Sequence, residues 1–65
     1  MHDLQAVLMQ IRMEFDEMPD LKLTFWQARR LWNLDHELCE AALRRLVEAQ
    51  FLRQTRDGAY LRRTA

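Results

Sequence analysis

The chain has 65 residues, 49% of them apolar, and its ten acidic and ten basic side chains cancel to a net charge of zero. That length accommodates one domain around one small core, and so apolar a composition, with one Gly and one Pro, excludes a disordered chain. No apolar run approaches the ~20 residues of a membrane span and no signal peptide is legible ahead of the first helix, so a cytoplasmic location without a membrane partner is expected.

Leu4, Val7, Leu8, Ile11, Phe15 and Met18 recur at spacings of three and four, which predicts an amphipathic helix over 3–18. Asp3 is placed to cap it and Pro19 to end it. Ala6, Met9 and Met13 lie off that stripe, either as scattered surface apolar residues or as a contact for a second subunit or another domain. Leu21-Lys22-Leu23 alternates, predicting a short strand over 21–23 at the edge of a later hairpin.

Thr24 with Gln27 three residues on is a capping box opening a helix over 25–32. Its expected inner face is Phe25, Ala28, Leu31 and Trp32, with Trp26 against the first helix or half exposed. Asn33 stands where the chain must turn, being the non-glycine residue most tolerant of left-handed geometry. Asp35 is a natural cap for a helix over 36–50, whose buried stripe is Leu38, Cys39, Ala42, Leu43, Leu46 and Val47. Cys39, the lone cysteine, is therefore expected in the core. It can form no internal disulfide, and with only His2 and His36 as imidazole companions no zinc site is expected. Segments 51–56 and 59–63 are strand-like around Asp57-Gly58, a two-residue hairpin signal. On that loop Leu52 and Leu61 face the helices, while Arg53, Tyr60 and Arg62 face outward with the two arginines nearly opposite.

Charge is unevenly distributed. Residues 1–20 hold five acids against Arg12, for −4; residues 21–50 hold five bases and four acids, for +1; the remainder holds four arginines against Asp57, for +3. An acidic front and a basic back give the domain a dipole.

In Leu23-Thr24, Leu31-Trp32-Asn33-Leu34, Leu43-Arg44-Arg45-Leu46-Val47-Glu48-Ala49-Gln50-Phe51-Leu52 and Asp57-Gly58-Ala59-Tyr60-Leu61-Arg62, the chain resembles the winged helix-turn-helix family of bacterial transcription regulators. The resemblance covers residues 23–63. It implies a mainly helical fold with a small β part, in which three helices carry a C-terminal wing of two or three strands. It also implies a DNA-binding role in transcription regulation, with the second helix of the motif in the major groove. Carried over by position, the groove-facing residues are His36, Glu37, Glu40, Ala41 and Arg44. Two of these are acids, which oppose a phosphate-lined groove, and Glu40 with Arg44 has the spacing of a helix salt bridge.

Two readings stand at this point. In the first, duplex DNA is bound by His36, Arg44 and Arg45 from the helix and by Arg53, Arg56, Arg62 and Arg63 from the wing, where Arg53 and Arg62 grip a phosphate between them. Dimerisation through the first helix, or attachment to a larger protein, then supplies useful affinity. In the second, Met9, Met13, Trp26, Glu37, Glu40 and Ala41 meet a protein partner. No nucleophile has a base beside it and the single Gly builds no phosphate loop, so neither catalysis, a cofactor nor a small-molecule substrate is expected.

Overall fold

The computed structural model describes residues 3–63. Helix α1 spans Leu4–Glu17, strand β1 Lys22–Thr24, helix α2 Phe25–Trp32, helix α3 His36–Glu48, and strands β2 and β3 Leu52–Gln54 and Ala59–Arg62. The strands form one antiparallel sheet in the order β1-β3-β2. The chain is thus mainly helical with a small sheet, an arrangement compatible with a winged helix topology.

The helix ends follow their sequence signals. The Asp3 carboxylate accepts from the Gln5 amide, 3.1 Å, to start α1. Thr24 and Gln27 make both halves of the capping box, at 3.2 and 2.9 Å, and Asp35 accepts from the Leu38 amide at 2.7 Å. Each such cap contributes about 1 kcal/mol by satisfying an orphan amide. Asn33 ends α2 at φ 52°, and the Leu34 amide donates back to the Arg29 carbonyl. The end of α3 comes earlier than the apolar pattern predicts, at Glu48 rather than Gln50. Gln50 takes φ 62°, its amide donates to Val47 and the Phe51 amide to Leu46. This pair of reverse bonds closes the helix without the usual glycine.

Both α1 and α2 pack on α3, and β2 packs on α3 from another side. Val7, Ile11 and Phe15 of α1, Ala28 and Trp32 of α2, Cys39, Ala42, Leu43 and Leu46 of α3, and Leu34 and Leu52 form the buried core. Phe15 and Trp32 meet in a tilted aromatic pair, 6.2 Å between centroids. Two residues of the predicted helices expected inside lie outside. Leu31 is 55% exposed, because α2 has only two turns and α3 covers the Ala28–Trp32 side, leaving Leu31 beyond its edge. Met18 is exposed as well, since it follows the last helical residue and no longer keeps the stripe's angle.

The hairpin corrects the expected register. The loop holds three residues, Arg56-Asp57-Gly58, not two: the Gly58 amide donates to the Thr55 carbonyl and the Thr55 amide to the Ala59 carbonyl. Gly58 sits at φ 91°, the left-handed residue such a loop requires. Leu52 therefore faces Arg62, Arg53 faces Leu61, and Gln54 faces Tyr60. A one-step change of register sends every side chain of a strand to the other face. Leu52, Tyr60 and Arg62 consequently share the inner face with Leu23, while Leu61 turns outward with Arg53 and Lys22.

Candidate nucleic-acid interface

The presented surface is the outer side of α3 with the two elements beside it. His36 opens α3, exposed, with its ring packed edgewise on Phe25 at 4.9 Å and near Trp26 at 6.1 Å. Glu37 and Glu40 follow on the exposed side and Ala41 is half-buried among them. Arg44 donates to Glu40 across one turn at 3.3 Å. With both partners more than half exposed, that pair contributes at most about 0.5 kcal/mol. It nevertheless draws the only guanidinium of the outer helix face onto a carboxylate.

Arg44 and Arg45 do not act from one flank. Successive residues of a helix diverge by about 100°, and these two line separate grooves. Arg44 lies with Glu40, Gln54 and Tyr60 between α3 and the sheet, whereas Arg45 lies with Gln5 and Arg12 between α3 and α1.

Among the hairpin arginines, Arg62 is committed elsewhere. Its guanidinium pairs with Asp16 of α1 at 3.2 Å and lies 5.3 Å from the centroid of Phe51. Arg12 covers the same ring at 4.7 Å. The expected grip of Arg53 and Arg62 on one phosphate is overturned, because the three-residue loop places them on opposite faces of the sheet. Arg53, Arg56 and Arg63 remain exposed, with no ion pair among the described residues. At the turn, the Thr55 hydroxyl donates to the Asp57 carboxylate and accepts from the Ala59 amide. That hydroxyl, followed by the backbone and Lys22, holds the Asp57 carboxyl below its usual range.

Met9 and Met13, 64% and 59% exposed, line a shallow apolar groove on the outside of α1 with Ala6. Trp26 is equally exposed and belongs to a different place, the outer side of α2, where Arg29, Arg30 and Asn33 adjoin it. The i, i+3, i+4, i+7 spacing of these four puts them on one face of α2, a signal the sequence itself carries.

Cys39 is buried, and burial, opposed by Arg29 and reinforced by Asp35, pushes its thiol up. Among the described residues no three His, Cys, Asp or Glu side chains group to hold a metal ion, and no helix is long and apolar enough to cross a membrane. In comparisons with known proteins, no family model, no curated protein and no solved structure matches the chain.

Proposed function

We propose that the chain is a winged-helix module, non-enzymatic, that binds duplex DNA in the manner of a transcription regulator. The observation that carries this reading is the segregation of charge by layer. Residues 1–20, most of them in α1, sum to −4; residues 21–63 hold nine bases and five acids, for +4. Residues 25–48, the α2–α3 pair with its turn, hold four bases and four acids, so the positive excess lies in Lys22 and the hairpin. A basic wing backed by an acidic helix steers one side of a neutral domain toward a polyanion. His36 enters at the start of α3 with Arg44 on the side toward the sheet, while Arg45 faces the α1 groove and leaves the set. Arg53, Arg56 and Arg63 hold phosphates, contributing affinity rather than sequence choice. Arg62 leaves the set, being engaged by Asp16 and Phe51.

The test is duplex binding across a salt series. Three phosphate contacts give a slope of log K against log salt of about −3. Arg53→Ala and Arg56→Ala each lower its magnitude by about one, whereas Arg62→Ala leaves it unchanged. Absence of duplex binding at low salt removes the proposal.

A second reading is favoured by the acidic, self-paired face of α3 and the exposed methionines of α1: a module of the same fold that meets a protein through Met9, Met13, Trp26, Glu37, Glu40 and Ala41. A Met9→Asp, Met13→Asp variant that keeps every association intact eliminates the α1 groove from that reading.

A further inference from the structure

Trp26, Arg29, Arg30 and Asn33 run along the outer face of α2 and, with Leu34, line an open cleft of about 290 Å³. The cleft combines three properties. The first is a fixed aromatic platform. Trp26 is 64% exposed, yet its ring is held by an edge contact with Phe25 at 5.3 Å and by Arg29, whose guanidinium lies 5.6 Å from the ring centroid. Arg29 is itself anchored, its Nε donating to the Leu34 carbonyl at 3.2 Å. The second is unopposed positive charge. No acid lines the cleft, and neither Arg29 nor Arg30 is in an ion pair among the described residues. The neighbouring Asp35 is turned to its own helix, where it accepts from Leu38. The third is a polar edge: Asn33, fixed in the left-handed region at φ 52°, adds an amide able both to donate and to accept.

An aromatic face, two cations and an amide match the three parts of a nucleotide: base plane, phosphate and base edge. Paired DNA keeps its base planes within its own stack and offers an indole nothing to lie on, whereas an unpaired strand exposes them, and any base stacks. We infer that the α2 cleft binds single-stranded nucleic acid, one base stacking on Trp26 while flanking phosphates meet Arg29 and Arg30. The inference does not rest on the duplex reading, whose phosphate contacts come from Arg53, Arg56 and Arg63.

The test compares a labelled oligothymidylate strand with a blunt duplex, by fluorescence anisotropy at low salt. The variants are Trp26→Ala, Trp26→Phe, Arg30→Ala and the double variant Arg53→Ala, Arg56→Ala. These positions are exposed, so each variant keeps the wild-type circular dichroism spectrum. Trp26→Ala weakens single-strand binding by about tenfold or more, Trp26→Phe retains most of it, and Arg30→Ala weakens it with a shallower salt slope. The wing double variant spares single-strand binding and weakens duplex binding, so the two readings fail separately. The inference is overturned if the wild-type protein does not bind the strand, if Trp26→Ala binds it as tightly as wild type, or if that variant loses duplex binding equally. Displacement of the strand by an equal concentration of thymidine monophosphate also overturns it, marking the occupant as a free nucleotide.

Discussion

Asn33 and Gln50 both close a helix with positive φ, but at unequal cost. A left-handed residue other than glycine gives up about 1–2 kcal/mol, which asparagine's short polar side chain partly recovers and glutamine's does not. Gln50→Gly is therefore expected to raise the unfolding free energy by about 1 kcal/mol, seen as a higher urea midpoint at unchanged slope. A lower midpoint would show that the Gln50 side chain makes contacts worth more than the backbone strain. Cys39 and Tyr60 set an alkaline limit. Burial is the leading cause of the raised value in each, reinforced at Tyr60 by Cys39 and Glu40. A group whose folded value is raised keeps its proton after the unfolded chain has released it. Its contribution to stability is thus complete below the ordinary thiol and phenol values and is lost as pH rises through them. The urea midpoint should fall above about pH 8.5, and Cys39→Ala should flatten the first part of that fall.

At the scale of elements, what was legible was what local chemistry decides. Asp3, Thr24 with Gln27, Asn33 and Asp35 each bind amides within a few residues, or adopt a backbone state their own side chain allows, so spacing alone located every helix start and the turn between α2 and α3. Leu31, the end of α3 and the hairpin register are settled by other contacts. Leu31 depends on which side of α2 is covered by α3, which no window within α2 contains. In the hairpin, Asp57-Gly58 suits a two-residue loop as well as the last two positions of a three-residue one, and Thr55 selects the longer by bonding Asp57 and Ala59. A phosphate grip by Arg53 and Arg62 requires the shorter loop and falls with it. The register is measurable directly. The Thr55 amide donates to the Ala59 carbonyl and the Arg63 amide to the Phe51 carbonyl, so the close Cα pairs of the ladder are Gln54–Tyr60 and Leu52–Arg62. Cross-peaks between their α-protons are expected in a nuclear Overhauser spectrum. A Thr55–Tyr60 cross-peak in their place would restore the two-residue loop.

For the whole molecule, the two ends of the described chain are joined by one cluster: Arg12 and Asp16 of α1, Phe51 after α3, and Arg62 of β3. Its ion pair is about half exposed on both sides, so its Coulomb part is small and screened by salt. Asp16→Asn is expected to lower stability by about 0.2–1 kcal/mol, with the difference from wild type disappearing in high salt. A larger loss that persists in salt would mean that Asp16 holds α1 by something other than charge. The acidic helix and the basic remainder are therefore bound mainly by their apolar seam.

The hydroxyl of Thr55 decides more than the shape of a turn. Odd and even loops give ladders of opposite parity, and this hairpin is odd only while Arg56 stays out of the ladder. Thr55→Val removes both side-chain bonds that fasten the odd form and leaves Asp57-Gly58 free to close the even one. In that isomer Arg62 abandons Asp16, comes to stand beside Arg53, and Leu61 swings under the helices. The Arg62–Asp16 clasp thus hangs on the parity of one loop.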